Sequence, residues 1–231
     1  MTKPYPDDAF QGVFDEWWIE EAPRKGTFNR GRLVWVPALS IQEVPTELCV
    51  EGHDPPDHGG AKAKLRAYHV GRRQTKATLP AAAVPLHDGE LCLVHKAKRR
   101  PALVLGTPPP PAAALLAGSS QGHRGSPILV APYYGCAGQG FAPEFLARVR
   151  RAEYPQFMWE QLPLDSQPEG ALLRMDQIQP IGRSVASCEE TPWRLSSEAL
   201  ELIDQWVSWL LVGAPPAGSM LEEVREFMLQ L

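Results

Sequence analysis

Residues 99–106 read Arg99-Arg100-Pro101-Ala102-Leu103-Val104-Leu105-Gly106, two cations followed by a short aliphatic run. Pro101–Leu105 reads as a strand, and Lys96-Ala97-Lys98-Arg99-Arg100 as a basic turn joining it to an earlier strand over Glu90–His95. Moving outward, the stretch TPPPPAAALLAGSSQGHRGS at 107–126 is rich in proline and is expected to be an extended, exposed linker. Ile128–Tyr133 is the next strand. Upstream, Gly31-Arg32-Leu33-Val34-Trp35-Val36-Pro37 is rich in β-formers and ends at a proline. Between that strand and Glu90 lie residues 38–89, punctuated by Pro45, Pro55, Pro56, Gly59, Gly60, Pro80 and Pro85. They are expected to be a long insertion with one or two short strands near Leu65–Val70.

Helical signals sit mainly towards the ends. In FQGVFDEWWIEE at 10–21, Phe10, Phe14, Trp17 and Trp18 recur near helical spacing, which predicts a short amphipathic helix docked on the body. Pro143–Ala152 reads as a helix with Phe145, Leu146 and Val149 on one side, followed by strands over Gln156–Leu162 and Ala171–Met175. Ser197 is placed to cap a helix over 198–211 whose apolar face is Leu200, Ile203, Trp206, Val207 and Leu210. GAPPAG at 213–218 interrupts it, and Ser219-x-x-Glu222 is a capping-box signature for a last helix. Several short strands with helices at the ends favour an α+β fold built on a small, strongly curved antiparallel sheet or barrel.

At 231 residues the chain suits one large domain, or one domain with attachments. No apolar run approaches a bilayer span, and the opening MTKPYPDDAF has no apolar h-region, so a cytoplasmic location is expected. The Ala, Pro, Gly and Arg content suits a GC-rich bacterial genome. Cys49, Cys92, Cys136 and Cys188 lack CxxC spacing and are expected to be free thiols. Charge is segregated: residues 60–151 hold fourteen Lys/Arg against three Asp/Glu, and the remainder nine against twenty-four. The basic part is expected to meet a phosphate backbone, an acidic surface in cis or on a protein partner, or solvent. There is no Walker glycine loop, no Gly-x-Ser-x-Gly elbow and no Cys/His arrangement of a protease.

Three segments, in order, carry a family resemblance. Arg99–Gly106 is similar to the Arg-Pro-x-x-Val-Leu strand of the MazF/PemK family of small-barrel ribonuclease toxins. Ile128-Leu129-Val130-Ala131-Pro132-Tyr133-Tyr134-Gly135 resembles that family's Val-Ala-Pro-Ile-Thr-Ser strand. Leu173-Arg174-Met175-Asp176-Gln177-Ile178-Gln179-Pro180-Ile181 resembles its Asp-Gln-Ile element. The resemblance implies an SH3-like antiparallel barrel over residues 30–212, with the insertion at about 38–89 between its first two strands. An acidic, aromatic segment at 1–29 would pack on the body, and a linker with an amphipathic helix would occupy 213–231. It further implies a homodimer that cuts single-stranded RNA with no metal or other cofactor, and an antitoxin or other protein partner.

In that chemistry the ribose 2′-hydroxyl attacks the adjacent phosphate, and a fixed cation lowers the barrier to the charged phosphorane. The resemblance puts Arg100 in this catalytic position, where a permanently charged guanidinium offers forked donors to phosphate oxygens. The family places a Thr or Ser hydroxyl where this chain has Tyr134, a departure that also alters geometry, since a phenol oxygen sits further from the backbone. Tyr134 is therefore read either as a second catalytic group or, with Tyr133, as a platform for unpaired bases or a core or partner contact. Lys98, Arg99, Arg148, Arg150, Arg151 and Asp176 complete the candidate RNA-binding set. His53-Asp54-Pro55-Pro56-Asp57-His58 is a weak metal-ligand pattern, and His95 and His123 are possible proton carriers without a motif match. An alternative function is a catalytically inactive barrel that binds protein in a toxin–antitoxin or defence assembly. A further expectation is that Asp7–Glu21 lies across the basic groove and occludes it, or packs on the outside as a helix.

Overall fold

The computed structural model describes residues 5–6, 8–24, 26–53, 56, 59–71, 84, 86, 90–107, 127–164 and 170–230. The proline-rich stretch from 108 to 126, with His123, and most of the 53–58 pattern lie outside the described residues. The chain forms two compact units, residues 1–38 with 99–231, and residues 39–98.

The larger unit is mixed α+β. Its strands are β1 (Trp18–Glu20), β2 (Arg32–Ser40), β6 (Lys96–Gly106), β7 (Ile128–Gly135), β8 (Phe157–Glu160), β9 (Ala171–Arg174), β10 (Gln179–Ile181) and β11 (Glu189–Leu195). They form one sheet in the order β1-β11-β2-β6-β7-β9-β8, with β10 also paired to β7. One edge of β7 is shared: Ile128–Val130 pairs β10 and Tyr133–Gly135 pairs β9, and the sheet curls into a half-barrel. Strand alternation then sorts the side chains. Leu33, Leu103, Ala131, Tyr133 and Leu173 enter the main core, whereas Val34, Val36, Ala102, Val104 and Val130 build a second cluster with Phe28 and Cys188.

Among the described residues three helices complete this unit: α1 (Pro143–Arg150), α2 (Ser197–Val212) and α3 (Met220–Met228). The cap of α2 is Ser196, one residue before the expected Ser197; its hydroxyl accepts from the Ala199 amide. Gly213 ends α2 in the left-handed region at φ 89°, which a side chain would strain. Ser219 caps α3 by accepting from the Glu222 amide, while the Glu222 carboxylate turns back to the Gly218 amide. Leu202, Ile203, Trp206 and Trp209 of α2, with Leu221 and Met228 of α3, are buried in the main core.

Two expected elements are different. Residues 10–21 are not a helix: Phe10–Val13 is a single 3-10 turn, and Trp18–Glu20 is a strand antiparallel to β11, with Trp18 opposite Leu195. Trp17-Trp18-Ile19 is aromatic and β-branched, and the open edge of β11 gives it backbone partners that outweigh the helical spacing upstream. Phe10 and Trp17 are buried in the main core, so this segment is neither an external helix nor a removable cover on a groove. Residues 96–100 are strand rather than turn, which extends β6 to eleven residues.

The smaller unit is a three-stranded antiparallel sheet in the order β4-β3-β5, from β3 (Thr46–Gly52), β4 (Lys62–Ala67) and β5 (Cys92–Val94). Leu48 stands opposite both Leu65 and Cys92, and the buried Glu47 accepts two bonds from Arg66 at 2.9 and 3.0 Å. None of the four cysteines forms a disulfide. Among the described residues no helix is long and apolar enough to cross a membrane.

Candidate functional site

Neighbours along β6 and β7 part company because side chains alternate. On β6, Arg99 lies over Trp35 at 4.2 Å from the ring centroid and bonds Glu189 at 2.7 Å. Arg100 goes to the other face. Ala102 pairs with Pro132, and continuing that register brings Arg100 opposite Tyr134. Its guanidinium carbon sits 3.9 Å from the Tyr134 ring centroid. Leu172 of β9 pairs with Tyr134, so Arg174, two residues on, shares this face and lies 5.3 Å from the same ring.

The Tyr134 hydroxyl donates to Oε1 of Gln177 at 2.8 Å, from the 3-10 turn Met175–Gln177. Arg174 donates to both carboxylate oxygens of Asp176 at 2.7 Å each. That forked bond is the main reason its guanidinium is held charged more firmly than usual, against the opposing effect of burial. Arg100, Tyr134, Arg174, Asp176 and Gln177 therefore meet at the rim of β6, β7 and β9. Among the described residues Arg100 makes no ion pair, so no carboxylate offsets its charge or occupies its in-plane N–H donors while its face rests on the phenol ring.

The other sequence candidates fare differently. Tyr133 is no base-stacking platform: it is fully buried and donates to Oε1 of Glu160 at 2.9 Å, while Trp17 Nε1 donates to Oε2 at 2.9 Å. Burial pushes the Tyr133 phenol well above its usual range, with the Glu160 charge adding to the effect. Burial likewise raises the Glu160 carboxyl to about 7, against its two donors. The arginines of α1 and its cap each face a carboxylate. Arg148 bonds Glu153 at 2.6 Å, Arg151 bonds the same carboxylate at 3.1 Å, and Arg150 bonds Asp8 at 2.7 Å. The acidic flank satisfies the basic helix in cis. Lys98 is exposed in the first residues of β6, which belong to the smaller unit, and His95 precedes them with Nδ1 buried and without a hydrogen bond among the described residues.

Asp176 also borders a cleft of about 550 Å³ between α2 and the rim, walled by Leu105, Leu129, Ile178, Val207 and Leu210, with the Arg30–Asp204 ion pair at its side. Among the described residues no group of three or more His, Cys, Asp or Glu side chains is placed to hold a metal. Sequence reasoning gave no role to Arg174 or Gln177. The available signal was their place within Leu173–Ile181, where alternation puts Arg174 on the Tyr134 face. Comparison with protein-family models, with curated proteins and with solved structures finds no match.

Proposed function

We propose that this chain is a toxin-like endoribonuclease that cuts single-stranded RNA, with Arg100 as the cation facing the reacting phosphate. The observation that carries this reading is the state of Arg100. Among the described residues it is held by a ring rather than by a carboxylate, so it is fixed in place while its charge is not offset by a counter-ion. The three motif resemblances add the chemistry: the 2′-hydroxyl oxygen attacks phosphorus as its proton passes to water, Arg100 offsets the charge of the phosphorane, and the P–O5′ bond breaks with the 5′-oxygen leaving as a hydroxyl protonated from water, which gives a 2′,3′-cyclic phosphate. In the same reading the curled sheet is an SH3-like barrel of MazF/PemK type, working as a cytoplasmic homodimer without a metal, with an antitoxin or other protein as partner. Arg174 supports the site as a second cation, with one edge engaged by Asp176.

A second reading is favoured by the cleft. Its wall is aliphatic, and Leu211 and Val212 at the end of α2 are 78% and 76% exposed, the kind of patch that protein partners cover. There the barrel is inactive and binds protein. The test is incubation of purified protein with end-labelled single-stranded RNA in EDTA, beside Arg100→Ala. Discrete products ending in cyclic phosphate from the wild type alone support the enzyme. Intact RNA across several mixed sequences, from a well-folded sample, rejects it and favours the binding module.

A further inference from the structure

Where the family resemblance expects a short aliphatic hydroxyl, this chain carries a phenol that is engaged at both ends. Its ring lies under the Arg100 guanidinium at 3.9 Å and near that of Arg174 at 5.3 Å, and its hydroxyl donates to Gln177 at 2.8 Å. A side-chain amide oxygen accepts hydrogen bonds but takes up no proton near neutral pH. A hydroxyl whose hydrogen points at such an oxygen is poorly placed to pass that hydrogen to a leaving group. The ring, by contrast, does something a Thr or Ser cannot: it holds a guanidinium by its face and leaves the N–H edges free.

We propose that Tyr134 is a positioning residue: its ring mounts Arg100, Gln177 anchors its hydroxyl, and the phenol carries no proton in the reaction. This rests on Arg100 being the phosphate-facing cation, and it reassigns the position rather than filling it. Catalysis at this rim then depends on guanidinium placement, with Gln177 as part of the mount. The element that supplies the anchor is the 3-10 turn Met175–Gln177, which also carries Asp176, the partner of Arg174. One short turn thus fixes both cations that touch the ring, one through the phenol and one through a carboxylate.

The experiment uses the whole protein and three variants, Tyr134→Phe, Tyr134→Leu and Gln177→Leu, each checked for folding by its thermal melt. The first readout is the Arg100 side-chain Nε–Hε signal in ¹H–¹⁵N NMR, assigned by its loss in Arg100→Lys. A narrow, slowly exchanging signal is expected in the wild type and in Tyr134→Phe, and a broadened or lost one in Tyr134→Leu. The second readout is cleavage of end-labelled single-stranded RNA. Removing the ring should cost roughly two- to thirtyfold, the range a cation–π contact supplies. Tyr134→Phe and Gln177→Leu should each lose no more than about tenfold, a bound set by a hydrogen bond between neutral side chains, with the shape of the pH–rate profile retained. A Tyr134→Phe protein as inactive as Arg100→Ala, with its Arg100 signal intact, makes the phenol a proton carrier and overturns the proposal. So does a folded Tyr134→Leu whose Arg100 signal is unchanged. If the wild type cuts no RNA the enzyme reading fails, yet the NMR comparison still decides whether Tyr134 is the mount.

Discussion

Two basic regions of this molecule end in opposite electrostatic states. On α1 and its cap, Arg148, Arg150 and Arg151 are each met by a carboxylate, from Glu153 or Asp8. The hydrogen bond from Arg148 is the largest cause of the low-shifted Glu153 carboxyl. At the β6–β7 rim, Arg100 is met by an aromatic ring. A carboxylate fixes a guanidinium but offsets its charge and occupies its donors, whereas a ring fixes it by its face and leaves the charge without a counter-ion. The difference shows that a run of arginines in a sequence specifies charge to be disposed of, and that only the partner decides whether any remains for a ligand.

The sharpest way to break the comparison is to remove one cation from each region. Arg100→Ala is expected to lower RNA cleavage by roughly a hundred- to a thousandfold, the effect of losing one charge-stabilising group at a reacting centre. Arg148→Ala and Arg151→Ala should each stay within about threefold, because a surface cation already paired in cis supplies little. Equal losses in both regions, measured as initial rates on one RNA, would end the distinction.

A smaller effect concerns the buried acid beneath the rim. Glu160 titrates near 7 in the folded protein against an ordinary value of 4.5, because burial opposes its charge. Its folded value is raised, so stability is fullest below about pH 4.5 and declines as pH rises towards and through 7. The full decline is on the order of 3 kcal/mol. Glu160→Gln should flatten the melting temperature between pH 5 and 8, and an unaltered slope would show that another group sets it. The smallest effect is expected from Asp8→Asn, which uncouples Arg150 at a cost of under about 1 kcal/mol, read by denaturant melts. If that variant binds single-stranded RNA markedly better, Arg150 joins the interface after all.

Much of the fold was legible because its strands are short, β-rich and well punctuated. Pro101–Leu105, Ile128–Tyr133 and Ala171–Met175 each correspond to an observed strand, and both C-terminal helices carry caps and apolar faces that fix them. What escaped was tertiary. Nothing local says that Trp18–Glu20 would find the edge of β11, so helical spacing prevailed at residues 10–21. The basic run 96–100 looked like a turn because its charges are exposed, although long Lys and Arg stems suit an exposed strand equally well. At the site, alternation alone separated Arg99 from Arg100 and Tyr133 from Tyr134, and it needed only the strand register. Of the carboxylates that meet α1, Glu153 lies within five residues of Arg148, but Asp8 could not be read, being 142 positions from Arg150.

The most direct test of the rim as the RNA-facing surface is the salt dependence of single-stranded RNA binding. It is to be measured for the wild type, Arg100→Ala, and a variant with both Arg148→Ala and Arg151→Ala. Each phosphate contact contributes about 0.7 to the slope of log affinity against log salt. The slope is expected to fall by about that much in Arg100→Ala and to hold steady in the α1 variant. An unchanged slope and affinity in a folded Arg100→Ala protein, with a loss in the α1 variant, would contradict the account at its centre.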